Sequence, residues 1–145
     1  MRRWTAITLI LILAVAAACG GNEGREEETS EEETSEEGTS QIGGQSANDH
    51  GTEDVSGETS VELELDDFYF EPTVLRGDAG QSLTLEAFNE GDQAHTFTSE
   101  ELSVDQELAP GEETSIDITF PDSGQVVFFC RFHDSQGMRG AIEVA

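Results

Sequence analysis

Cys130, His133 and Met138 fall within nine positions of one another in FFCRFHDSQGMRGAIEV, residues 128–144 of a 145-residue chain. Elsewhere the chain has few side chains of that kind: the other histidines are His50 and His95, the other cysteine Cys19 and the other methionine Met1. Taken with His95, the three residues make two imidazoles, a thiolate and a thioether. That set suits a copper ion held in a trigonal plane of two histidines and one cysteine, with a weak axial methionine. Zinc prefers a tetrahedral set without thioether, and a dinuclear copper site needs a second cysteine in the loop. Blander roles are open to each residue alone. A cysteine ending an apolar strand is commonly a small buried hydrophobe, Met138 could fill a core, and C-x-x-H occurs by chance.

Spacing and the surrounding elements favour the metal. Cys130 ends the apolar run QVVFFC (125–130), and Met138 opens the segment GMRGAIEVA (137–145) after a short glycine-containing loop. A loop of that size holds its two ends together, so Cys130, His133 and Met138 can face one point. His95 begins a separate extended piece, AHTFTS (94–99), and would reach the same point from across the fold. The rest of the C-terminal part alternates apolar and polar residues, as in VELEL (61–65), SLTLEAF (82–88) and TSIDITF (114–120), with turns at 77–80, 108–113 and 121–124. No stretch keeps a helical period. The expectation is an all-β domain over residues 61–145, a Greek-key antiparallel sandwich or barrel of about seven to eight strands. Ligands mounted on two ends of a rigid β scaffold move little when copper changes oxidation state, which suits electron transfer.

On these residues the chain resembles the cupredoxin family, in particular its plastocyanin-like members. C-x-x-H followed by four residues and Met is matched by Cys130, His133 and Met138, and the family's upstream histidine by His95 in FNEGDQAHTF. DFYFEP followed by TVLRGDAGQSLTL is similar to the family's opening strand and turn, so the resemblance spans residues 61–145. It implies one type 1 copper ion bound by His95, Cys130 and His133 with Met138 axial, and a backbone amide at Thr96 donating to the sulfur. It further implies an electron port at the edge of the His133 ring. The protein would be a monomeric electron carrier rather than an enzyme, with cytochrome, oxidase or reductase partners at a membrane. Phe97, Phe129 and Phe132 are expected to pack about the site and exclude water. Arg131 and Arg139 flank the loop, by chance or to orient a partner. The competing reading is a copper carrier or chaperone that delivers metal to an extracytoplasmic enzyme. Against it, the only further histidine is His50. A nitrite-reductase-like enzyme would need a second copper site that the histidine count does not supply.

The N-terminal part reads as a means of attachment. MRRWTAITLILILAVAAAC has a basic start, an apolar run too short to span a bilayer comfortably, and small residues leading to Cys19. It resembles a bacterial lipoprotein signal, which implies lipidation at Cys19; a plain secretory cut near Ala18 would leave Cys19 a free thiol. Arg2 and Arg3 leave the export route open. Residues 20–60 are low in complexity, with EEETS at 26–30 and again at 31–35. They are expected to form an acidic disordered tether in which His50 is solvated. At about 5–6 Å times the square root of residue number, such a segment reaches roughly 35 Å before charge repulsion extends it. The protein is therefore expected to be exported and lipid-anchored, facing the periplasm or extracytoplasmic side. With 32 acidic residues against 6 basic ones, binding to nucleic acid or to an anionic membrane surface by charge is excluded.

Overall fold

The computed structural model describes residues 38–145; the signal segment, Cys19 and both EEETS repeats lie outside the described residues. In chain order the strands are β1 (Gly38–Ile42), β2 (Gln45–Asp49), β3 (Thr52–Asp54), β4 (Ser60–Asp66), β5 (Tyr69–Glu71) and β6 (Val74–Gly77). They continue as β7 (Ser82–Asn89), β8 (His95–Ser99), β9 (Val104–Leu108), β10 (Glu113–Thr119), β11 (Gln125–Phe129) and β12 (Arg139–Val144). One sheet has the order β10-β7-β4-β5 and the other β3-β6-β12-β11-β8-β9, with β1 and β2 forming a separate hairpin.

Alternation builds the inner face. Val61, Leu63 and Leu65 of β4 are buried while Glu62 is exposed, and Leu83, Leu85 and Ala87 of β7 repeat the pattern. Phe128 of β11 anchors the other sheet, with its ring 4.8 Å from that of Phe97 and 4.9 Å from that of Phe70. Cys130 and Met138 belong to this same core. The donors therefore sit at the end of a packed apolar interior. Pro72 follows the edge strand β5, where the missing N–H leaves no ladder bond unmade.

The all-β sandwich is as expected, and three of its details differ. The described residues form twelve strands, more than the seven or eight anticipated. The sheets are mixed, because β4–β7, β6–β12 and β3–β6 pair in parallel. The folded part also begins well before residue 61: residues 38–60, which read as tether, supply β1, β2 and β3. Their sparse apolar residues explain the difference. Ile42, Ala47 and Val55 are too few to hold a segment on their own, yet all three are buried against the rest of the protein. Ile42 and Ala47 pack with Val74 and Ala141 on the outer side of β6 and β12. β3 adds itself to β6 by main-chain bonds that composition does not reveal. His50 is accordingly not a free side chain: its ring stacks on Tyr69 at 3.5 Å, and its amide donates to Thr73 Oγ1 at 2.7 Å.

Candidate metal centre

The loop from Cys130 to Met138 is closed by its own backbone. Cys130 N–H donates to the Met138 carbonyl at 3.0 Å, His133 N–H to that of Cys130 at 3.0 Å, and Met138 N–H to that of His133 at 3.3 Å. A short 3-10 turn, Asp134–Gln136, carries the chain round, and Gly137 ends it at φ 89°, a conformation that favours glycine. His95, at the first position of β8, enters from the adjoining strand. The two sequence-distant parts thus meet at one point.

The Nδ1 atoms of His95 and His133 lie 3.1 Å apart. Cys130 Sγ lies 3.5 Å from the His133 nitrogen and 3.8 Å from that of His95. Donors bonded to a first-row ion at roughly 2.0–2.3 Å lie about 3–4 Å apart when the angles between them are about 100–130°, and all three sides of this triangle fall in that range. His95, Cys130 and Met138 are fully buried, whereas 9% of the His133 surface is exposed. The Met138 side chain is also buried, and main-chain bonds join the residue to both Cys130 and His133. His95, Cys130 and His133 also form a group of potential metal donors by mutual distance.

Surrounding contacts orient these groups. Thr96 N–H donates to Cys130 Sγ at 3.3 Å, and the Thr96 hydroxyl accepts from Arg131 N–H at 3.0 Å. Residue 96 therefore holds both the sulfur and the start of the loop. On the far side of its ring, His95 Nε2 meets Asp67 Oδ1 at 2.8 Å. Donation from Nε2–H to that carboxylate leaves the Nδ1 lone pair free for a metal. Burial pushes the Asp67 carboxyl up, but hydrogen bonds from His95 and from Asp92 N–H outweigh it and hold it below the usual carboxylate range. Burial, followed by the neighbouring His95, holds the His133 imidazole below its ordinary value, so it is neutral and ready to donate. Gly91 makes the close approach to this pair possible. A Cβ there would lie 2.7 Å from both Asp67 Oδ1 and His95 Nε2.

All four residues expected as ligands thus lie at this end of the core, and His50 lies apart from them. The aromatic expectation holds only in part. Phe97 is buried, Phe129 is partly buried, and Phe132 is 46% exposed. Phe132 still meets the His133 ring edge-on at 6.2 Å, and Phe68 adds a ring that was not expected, with its centroid 4.6 Å from that of His133 and 6.4 Å from that of His95. Arg139 does not face a partner either: it is buried, bonded to Asp134 and to the Ile42 carbonyl. Arg131 pairs with Asp105 and Glu107 and lies over the Phe132 ring. Asp67 and Phe68 lie in DFYFEP and Gly91 in FNEGDQAHTF, but spacing gave none of them a role, since they reach the site only through the turns after β4 and β7.

A family model described as the cupredoxin-like domain matches residues 43–144, a span that includes strand β2. Halocyanin of Natronomonas pharaonis is 32% identical over 80 residues, or 53% of this chain and 48% of the relative. The chain thus matches about half the length of that relative. Among solved structures, the dithionite-reduced auracyanin of Roseiflexus castenholzii aligns with a TM-score of 0.51 at 20% identity, covering 61% of this chain and 98% of that one. Another is the metal-binding domain, solved with Cu(I), of a Cu(I)-exporting P-type ATPase of Streptococcus pneumoniae. It aligns with a TM-score of 0.52 at 15% identity over 64% of this chain and 96% of that one. At such identities the two structural likenesses show the shared fold.

Proposed function

Because the chain belongs to the cupredoxin-like domain family, we propose that it is a type 1 copper electron carrier, with His95, Cys130 and His133 holding the ion and Met138 as weak axial ligand. The observation that carries this is the buried triangle of two Nδ1 atoms and one Sγ, with an amide already aimed at the sulfur. Copper bound there would supply one-electron Cu(II)/Cu(I) chemistry. The protein's part is to hold the donors still. His95 is fixed by Asp67, Cys130 by Thr96, and His133 by the closed loop. A donor set restrained this way needs little rearrangement between oxidation states.

His133 is the only one of the four residues with accessible surface, and Phe132 beside it is exposed. This supports electron passage through the His133 edge to a redox protein docked over it. Burial of the other three favours a carrier of electrons over a carrier of copper, since a delivery protein must release its ion readily. The chemistry described transforms no substrate. The sequence before residue 38 supports export, lipidation at Cys19 and residence on the outer face of a membrane.

The test is an optical and EPR spectrum of the full chain loaded with Cu(II). Intense visible absorption from sulfur-to-copper charge transfer is expected, and Cys130→Ser should abolish it. A colourless Cu(II) protein would overturn the electron-transfer reading. Rapid loss of copper to a weak chelator would favour delivery instead.

A further inference from the structure

The hairpin β1–β2 lies outside both sheets, yet its contacts converge on the loop that carries His133 and Met138. Asn48 of β2 makes most of them. Its backbone N–H donates to the Gly137 carbonyl at 2.9 Å. Its side-chain Nδ2 donates to the Gln136 carbonyl at 3.0 Å and to the Phe68 carbonyl at 2.9 Å. Both side-chain partners are acceptors, so the amide can face them only with its nitrogen, and both of its N–H bonds are used. One side chain thereby joins the ligand loop to the turn that carries Asp67 and Phe68. The Asn48 carbonyl in turn accepts from the Thr73 hydroxyl at 3.2 Å, tying the residue to the scaffold. Space is also matched, since a Cβ on Gly137 would lie 3.1 Å from Asn48 Oδ1.

A second tie runs through Arg139. Its buried guanidinium donates to the Ile42 carbonyl of β1 at 3.0 Å and to Asp134 of the loop. Ile42 and Ala47 are buried with Val74 and Ala141, which seats the hairpin on β6 and β12. A polar hairpin of this kind gains little from its own apolar surface. Its contacts instead brace the loop that carries His133 and Met138.

We propose that the β1–β2 hairpin is an external splint for the ligand loop, and that Asn48 is a positioning residue. It sets the placement of His133 and Met138 on one side and of Phe68 on the other. The effect on copper rests on the function proposed above; the effect on the loop does not. Loosening the splint admits water beside His133, and a wetter site favours the more highly charged ion.

The test uses the full chain as Asn48→Ala and as Asn48→Asp, which keeps the shape but puts an acceptor against two carbonyls. Ile118→Val, a small cavity on β10 in the opposite sheet, controls for general loss of stability. In copper-free protein, amide exchange at Gln136, Gly137 and Met138 should quicken at least tenfold in both Asn48 variants and stay unchanged in Ile118→Val. In copper-loaded protein, a tenfold shift of preference toward Cu(II) is expected, a drop in potential of about 59 mV, with altered EPR splitting. Unchanged loop exchange, or a change matched by Ile118→Val, would overturn the splint. Faster exchange with unmoved potential and EPR would overturn the positioning role. Should Cu(II) give no colour at all, the function proposed above fails, and the copper-free exchange still decides the splint.

Discussion

At the scale of single residues, the charge on Asp67 is the feature with the clearest chemical consequence. It lies against the outer nitrogen of His95, where a negative charge stabilises Cu(II) more than Cu(I). Asp67→Asn keeps an acceptor and removes the charge, so the reduction potential should rise; a tenfold change in relative affinity corresponds to about 59 mV. Asp67→Ala removes both and should cost about 10–100-fold in Cu(II) affinity, as outer-shell partners commonly do. Redox titration and competition with a chelator measure these. Met138→Leu should keep the colour, which comes from the thiolate, and raise the potential, because removing even a weak axial donor destabilises Cu(II) relative to Cu(I). The depressed His133 value gives a pH dependence for the copper-free protein. The unfolded chain binds a proton there below about pH 6.5 while the fold resists it. Stability should therefore fall as pH drops below that value, and His133→Gln should flatten this part of the curve in thermal melts. The four candidate donors stood out because their types are rare in this chain and one loop fixes the spacing of three of them. Asp67 did not, because an acidic residue among 32 acidic ones carries no signal in sequence.

Among the elements, strands with strict alternation were legible and those held by partners were not. VELEL and SLTLEAF each became a half-buried strand, β4 and β7, as the period predicts. β1, β2 and β3 lacked that period. Their order comes from main-chain pairing with each other and with β6 and from three buried side chains supplied to a surface already built. The segment's own apolar content is too small to offset its ordering entropy, but the segment shares the core of its neighbours. Parallel pairing was equally hidden, since alternation is the same whichever way a partner runs. Truncation at Phe128, which touches both Phe70 and Phe97, should destabilise the fold by about 3–5 kcal/mol as Phe128→Ala. Denaturant unfolding measures that loss. Gly91→Ala should do something different: the fold survives, while the added methyl group pushes Asp67 off His95 and the potential rises as in Asp67→Asn.

For the molecule as a whole, the governing quantity is a formal charge of −26. Glu62, Glu64, Glu86, Glu90 and Glu113 line one depression on the four-stranded sheet. Burial, then Glu90, Glu71, Glu62 and Asp66, push the Glu64 carboxyl up. Such crowding opposes the compact state and is screened by salt, so the thermal midpoint should rise between low salt and about 1 M, where the screening length is near 3 Å. A midpoint that stays flat across that range would show the repulsion to be unimportant. The all-β domain class and the acidic balance were readable along the chain, as were the candidate donors that the fold brings together. The start of the folded part, at residue 38 rather than 61, was not. The central claim is that His95, Cys130, His133 and Met138 form one copper site built for electron transfer. The EPR and optical spectrum of the Cu(II)-loaded full chain tests it most directly. The account predicts strong charge-transfer colour with the small copper hyperfine splitting of a thiolate-bound trigonal site, both lost in Cys130→Ser; a colourless protein with the wide splitting of an ordinary tetragonal Cu(II) site would contradict it.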